Sequence, residues 1–273
     1  MFDEVFEEIG DISGSVTLDI GSGGGYMISY LIKKKDLERV FASDISTFTI
    51  DSLKQKLSPD EMLRVVSIKA DLRRMDFLKD CFFDLVTAYG TLTPIEMITP
   101  GGTKNVLSEI YRVLKSGRSF IIIEHCPIDL IEPIDEAQKV MVSFWRLSEK
   151  IIEACGEPSF AGYTPQSLIK IAEACGFKVD SWKEVKTTCL QELSEYVSYV
   201  NQMVQRIPDK DVREKLTREV EGICVDARKY GIRSIPQNAI YASKPSHDKQ
   251  KKIEYPELVN LYGTVHHKDA LGY

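Results

Sequence analysis

The segment Leu18-Asp19-Ile20-Gly21-Ser22-Gly23-Gly24-Gly25 closes a β-rich run, turns on glycines and leads into a helical pattern. Glycine is needed where the backbone takes positive φ, or where a ligand lies against it with no room for a Cβ. Such a turn offers backbone N–H groups and a helix N-terminus to a bound group. Its spacing is Asp-x-Gly-x-Gly-x-Gly. A nicotinamide-binding turn has Gly-x-Gly-x-x-Gly, but Tyr26 stands where its third glycine would fall, and the Gly-Lys-Ser/Thr ending of a phosphate loop is missing. Asp44 and Asp71 each follow a later β-rich run. A carboxylate accepts two hydrogen bonds side by side, as a pair of hydroxyls or an amine requires. Glu124-His125 closes a fifth run, and a histidine has the proton affinity for base chemistry near neutrality.

Those residues need elements to hold them. Val16–Ile20, Arg39–Ser43, Arg64–Lys69, Phe82–Ala88 and Ser119–Ile123 read as strands. Between them Tyr26–Lys35, Thr47–Leu57 and Thr103–Leu114 read as helices, the last with Val106, Leu107, Ile110 and Val113 on one face and Gly117 as its terminator. This alternation predicts a mostly parallel sheet covered by helices on both faces. The second half differs: residues 130–160 and 190–235 read as helical insertions, the second broken by Pro208. Thr164-Pro165 starts a helix that runs to Cys175, Phe177–Val185 is a sixth strand, and Ala239–Ala242 is a last one. The expected organisation is a core over 1–129, an insertion over 130–160, the core resumed over 161–189, a second insertion over 190–235, a last strand within 236–245 and a polar tail over 246–273.

Composition narrows the function. The chain has 273 residues, 43% of them hydrophobic, and a net charge of −6. That supports a folded core and makes nucleic acid an unfavoured partner, since phosphate backbones are held by clustered Lys and Arg. No apolar run reaches the roughly 20 residues that span a bilayer, and the acidic start, Met1 to Glu8, lacks a signal peptide's pattern, so no membrane partner and a cytoplasmic location are expected. The six cysteines form no Cys-x-x-Cys pair and read as free thiols. His247, His266 and His267 lack matched carboxylates, so no metal site is expected.

Taken in order, these segments resemble the class I S-adenosylmethionine-dependent methyltransferases. Asp19–Gly25 is similar to the family's first motif, Ala42–Ser46 to its second, Ala70–Leu72 to its third and Asp84–Thr87 to its fourth. Leu107–Gly117 resembles the helix and turn before strand five, with Lys115-Ser116-Gly117-Arg118 in place of Lys-Pro-Gly-Gly, and Thr164–Phe177 resembles the helix leading to strand six. The resemblance covers residues 13–127 and 160–185. It implies a Rossmann-like α/β fold with a seven-stranded sheet, the last strand antiparallel. It implies S-adenosylmethionine as cofactor and S-adenosylhomocysteine as product. By the same resemblance Asp44 would accept from the ribose hydroxyls and Ile45 would lie on the adenine. Asp71 and the Leu72 N–H would meet the adenine edge. Gly21, Ser22, Gly23 and Gly25 would pass the methionine portion, with Asp19 beneath them, and Tyr89 would stand near the sulfonium. Asp84 reads as structural.

The acceptor is less legible. Glu124 and His125 are the catalytic candidates, His125 either as a base or as a hydrogen-bonded loop residue. Cys126 lacks the Pro-Cys partner of enzymes that methylate RNA cytosine carbon. Phe144, Trp145, Phe160 and Tyr163 could wall an acceptor or simply pack a lid helix. Tyr196, Tyr199 and Met203 read as a buried stripe. The expected reaction is methyl transfer to an oxygen or nitrogen of a small molecule. The alternatives are a protein or RNA acceptor, which a basic surface around Lys33, Lys34 and Lys35 would favour, and a non-catalytic cofactor-binding subunit.

Overall fold

In the computed structural model, residues 1–157, 162–185, 193–246 and 265–266 are described. The sheet runs β6-β7-β5-β4-β1-β2-β3, with β1 Val16–Ile20, β2 Arg39–Asp44, β3 Val65–Lys69, β4 Phe83–Tyr89, β5 Leu114–His125, β6 Lys178–Val185 and β7 Gln237–Ser243. β7 lies antiparallel to both β5 and β6, and the pairs among β1 to β5 are parallel. This is the expected α/β fold, a Rossmann-like sheet whose last core strand is antiparallel. An eighth strand of two residues, β8 Val265–His266, extends it beside β3. The polar-tail reading otherwise falls outside the described residues, as do His247, His267 and Cys189.

Alternation along the strands fills two cores. Phe120 and Ile122 face one side with Leu107 and Ile110 of α6 (Gly102–Val113) and Leu168 of α8 (Pro165–Ala174). Ile121 and Ile123 face the other, with Phe6 of α1 (Phe2–Phe6), Met27 and Leu31 of α2 (Tyr26–Lys34) and Leu53 of α3 (Phe48–Lys56). Both faces are dry, which is why these strands are continuously apolar.

Two short helices escape the sequence periodicity. α4 (Pro59–Met62) is one turn held by a Ser58–Glu61 capping box. α5 (Leu92–Ile98) carries Pro94 at its third position, where the missing N–H would be unbonded anyway. The reading of Gly117 as a helix terminator is corrected. α6 already ends at Val113, Leu114 is extended, and Gly117 lies inside β5, where its N–H donates to the Lys244 carbonyl at 2.7 Å. The cause is immediate strand pairing: Leu114 opposes Phe83.

The inserted helices are α7 (Glu136–Ala154), α9 (Leu193–Gln205) and α10 (Lys210–Tyr230). Phe144, Leu147 and Ile151 of α7 share a core with Val200 and Val204 of α9 and with Leu216 and Val220 of α10. That core is separate from the two beneath the sheet. The side chains of Tyr196 and Tyr199 lie outside the described set; Met203 is buried in this cluster.

The Thr164 side chain accepts from the Ser167 N–H at 3.2 Å and caps α8 as expected. Thr164→Ala should lower unfolding stability by about 1 kcal/mol, and Thr164→Ser should restore it; denaturant unfolding of the three proteins checks this.

Candidate functional site

At the carboxyl ends of β1 to β4 the strands open a cleft of about 300 Å³, bordered by Gly21, Gly23, Asp44, Ile45, Asp71 and Leu72 among others. Open α/β sheets bind ligands at this edge. Asp44 ends β2. Its Oδ2 accepts from the Gly23 N–H at 2.8 Å and its Oδ1 from the Ser46 N–H at 2.8 Å, so the carboxylate is aimed yet each oxygen keeps acceptor capacity. Gly23, at φ +46°, has open space on its Cβ side: a Cβ there would meet only the Gly21 carbonyl, at 3.8 Å. Gly21 differs. A Cβ there would fall 2.4 Å from Cγ2 of Thr91, so the glycine is demanded by close approach as well as by φ +63°.

Beneath the loop, Asp19 is almost wholly buried and accepts from Thr87 Oγ1 at 2.7 Å. Burial pushes its carboxyl up to about 7, opposed by the Thr87 and Ser22 hydrogen bonds. Ser22 is buried, with its hydroxyl on the Asp19 carbonyl. Asp71 is held by Arg73, whose Nε lies at 2.9 and 3.1 Å and Nη2 at 2.5 Å. These bonds keep its carboxyl below the usual range. Arg73 Nη1 also donates to Thr99 Oγ1, tying the loop to the end of α5.

The second cavity is larger, about 740 Å³, and lies between the end of β5, α5 and the inserted helices. Gly90, Pro94 and Ile98 border both spaces, so α5 is the partition between them. Glu124 fixes that partition. Its Oε1 accepts from the Thr91 N–H at 2.8 Å and the Leu92 N–H at 2.6 Å, and its Oε2 from Thr93 Oγ1 at 2.9 Å. Burial pushes its carboxyl up while these bonds pull it down. Glu124 therefore satisfies the otherwise orphaned donors at the start of α5.

His125 borders the chamber, its ring tilted against Trp145 with centroids 5.5 Å apart. Burial lowers its pKa to about 4, so the imidazole is neutral at physiological pH. Its Nδ1 lies 3.3 Å from Nε2 of the buried Gln237, and that same Nε2 lies 3.3 Å from the Tyr89 hydroxyl. Gln237 Oε1 is buried with no partner. With the amide turned by half a turn, Oε1 accepts from Nδ1–H and from Tyr89 O–H, and Nε2 takes the buried position that Oε1 leaves. The imidazole lone pair is then left on Nε2.

Several sequence expectations resolve here. Gly21, Gly23, Asp44, Ile45, Asp71 and Leu72 meet at one cleft. Asp19, Ser22 and Gly25 lie behind it: a Cβ on Gly25 would strike Leu53 Cδ2 at 2.6 Å. Tyr89 borders neither cavity; its ring stands edge-on to Phe2 at 5.2 Å. Of the three described aromatics only Trp145 is placed at the chamber. Phe144 packs inward, the hydroxyl of buried Tyr163 donates to Thr103 Oγ1 at 2.7 Å, and Phe160 lies outside the described residues. Burial pushes the Cys126 thiol up to about 11, which makes it a poor nucleophile. Asp84 is structural, salt-bridged to Lys115 at 3.0 Å near the start of β4. Lys33 and Lys34 close α2, roughly 12 Å along the helix from its end at the cleft. Residues missed from the sequence include Thr91, Arg73, Glu149 and Gln237. A polar Ser148-Glu149 pair interrupting the apolar face of α7 is the one signal that was available.

The fold is a Rossmann-like α/β architecture with an open cleft at the strand ends. Residues 17–117 match the model of a methyltransferase domain. A search of curated protein sequences found no significant match. Among solved structures, the chain is similar to a candidate methyltransferase from Bacillus halodurans C-125, at TM-score 0.57 and 14% identity over 89% of this chain and 98% of that one. It is also similar to a candidate sarcosine dimethylglycine methyltransferase from Galdieria sulphuraria (0.56, 12%, 89% and 83%). A third is a phosphoethanolamine N-methyltransferase from Haemonchus contortus, solved with phosphomonomethylethanolamine and S-adenosylhomocysteine (0.52, 16%, 89% and 52%). Residues 17–117 therefore carry a methyltransferase domain, within a Rossmann-like fold typical of the class I S-adenosylmethionine-dependent methyltransferases.

The raised carboxyl of Asp19 has a thermodynamic signature. Between its unfolded pKa of about 4 and its folded value of about 7, the folded state holds a proton that the unfolded chain has lost. The stability of the protein relative to Asp19→Asn should therefore fall as pH rises across that window and level off above it. Unfolding at several pH values checks this; a constant difference would contradict it.

Proposed function

We propose that the protein transfers the methyl group of S-adenosylmethionine to an oxygen or nitrogen of a small molecule held in the 740 Å³ chamber. The observation that carries the reading is the shared border. The nucleoside-sized cleft and the acceptor-sized chamber meet at Gly90, Pro94 and Ile98. The cleft residues fit the adenosyl group: Asp44 has acceptor capacity for two hydroxyls, Ile45 is 53% exposed beside it, and the open side of Gly23 admits a chain over the backbone. Asp71 and the Leu72 N–H would hold the adenine edge, with Asp19 beneath the amino-acid portion. When bound, S-adenosylmethionine supplies an electrophilic methyl on a sulfonium.

The chain's own contribution is positioning and exclusion of water. The Gly90 backbone is set by Glu124 through Thr91, and α5 stands between the two ligands, with Pro94 and Ile98 facing both spaces and Gly90 just before it where they meet. His125, neutral and with Nδ1–H held by Gln237, takes the acceptor's proton on Nε2. Glu124 acts as a positioning residue, since three donors already occupy it. The large chamber favours a small molecule over a protein or RNA. The distance of Lys33 and Lys34 from the cleft weakens the case for a basic docking surface.

Tritium-labelled S-adenosylmethionine incubated with enzyme and fractionated cell extract tests the acceptor class. Label should appear in the low-molecular-mass filtrate; label in protein or RNA would overturn the reading. With any acceptor so found, His125→Ala should slow turnover by roughly a hundredfold or more without weakening S-adenosylhomocysteine binding. Gln237→Leu should share part of that loss. Gln237→Glu should retain turnover and move the acid limb of the rate profile to higher pH, because a carboxylate favours the imidazolium. An unmoved limb would contradict the assignment.

A further inference from the structure

The polar groups facing the chamber are largely occupied. Glu124 takes three donors. Thr93 donates to Glu124, and the Ser148 hydroxyl donates to the Phe144 carbonyl at 3.0 Å. Glu157 pairs with Arg206. His125 has Nδ1 against Gln237. The remaining lining is apolar, including Met97, Ile98, Ile128, Ile152, Met203 and Ile235. Among the described residues that leaves two open polar positions: the Nε2 edge of His125, and Glu149.

Glu149 is half-buried and sits on α7 one turn after Trp145, on the same face as Ser148 and Ile152. Among the described residues no cation is paired with its carboxylate. Burial raises its pKa, and the charges of Asp129 and Glu153 raise it further against a smaller opposing effect of Arg146. A carboxylate in an apolar wall, in a locally negative field, is poorly stabilised until a cation reaches it. The adjacent face of Trp145 suits the same charge.

We infer that the acceptor is an apolar amine, its body in the chamber lining and its ammonium group held by Glu149; one N–H proton passes to Nε2 of His125, which frees the nitrogen lone pair for attack on the methyl. This rests on the reading of the chamber as the acceptor site and narrows it to one chemical class. An alcohol would satisfy one lone pair of Glu149 and none of its charge. A carboxylic acid would meet repulsion from Glu149, Asp129 and Glu153 together.

The test compares three probes of one shape: phenethylamine, phenethyl alcohol and hydrocinnamate. Each is titrated calorimetrically into the protein saturated with S-adenosylhomocysteine. The amine should bind at least roughly tenfold tighter than the alcohol, as a charge-assisted hydrogen bond implies, and the acid should bind weakest. In Glu149→Gln the amine and alcohol should become equal, with S-adenosylhomocysteine affinity and unfolding midpoint unchanged. Equal binding of amine and alcohol to the wild type would overturn the inference. So would a preference that survives in Glu149→Gln, or no binding of any probe while S-adenosylhomocysteine still binds. Failure of the wild type to bind S-adenosylhomocysteine at all would overturn the underlying cofactor assignment instead, and the inference with it. The wild-type comparison stands even if the variant folds poorly.

Discussion

Glu124, at the end of β5, is 1% exposed and spends its carboxylate on the first residues of α5. A buried carboxylate without donors would be strongly unfavourable, and a helix start without acceptors would leave orphaned N–H groups. Each solves the other's problem. The consequence is geometric: α5 can begin only where Glu124 reaches it. Thr91 is thereby pressed against Gly21, and its hydroxyl donates to the Ile20 carbonyl at 2.9 Å. One buried carboxylate thus connects the glycine turn after β1, the start of α5 and the end of β5. Those three segments bound the two cavities.

The charges of the site are sorted by burial. Asp44 is held by backbone donors at the mouth of the cleft, and Asp71 is kept ionised by Arg73. Asp19 lies deeper, with its carboxyl pushed up to about 7, and His125 is kept neutral by burial. The cleft side is therefore rich in acceptors for hydroxyls and amines. The chamber side is mostly apolar, with Glu149 as its one carboxylate outside an internal ion pair or cap among the described residues. That division suits the proposed reaction, which puts an electrophilic cation on the first side and a nucleophile shielded from water on the second.

Much of this frame was legible in the chain because it rests on local chemistry. Strand alternation, the glycine turn and the acidic strand ends at Asp44 and Asp71 depend on residues near in sequence. What was not legible depends on contacts across the fold. The role of Glu124 requires α5, whose start carries no side-chain cap of its own and is capped from 32 residues away. Gln237 meets His125 only because β7 pairs antiparallel with β5 and sets His125 opposite Gln237. Gly117 misled because the Gly-after-helix signal also fits a glycine inside the following strand. The aromatic wall shrank to Trp145 because Phe144 and Tyr163 serve cores that the inserted helices and α6 build.

The most direct test is a crystal structure with S-adenosylhomocysteine. The account places its ribose on Asp44, its adenine beside Ile45 and Leu72, and its sulfur opposite Gly90, facing the chamber that holds His125 and Glu149. A ligand bound with its sulfur turned away from Gly90, or seated outside the β1–β4 cleft, would contradict it.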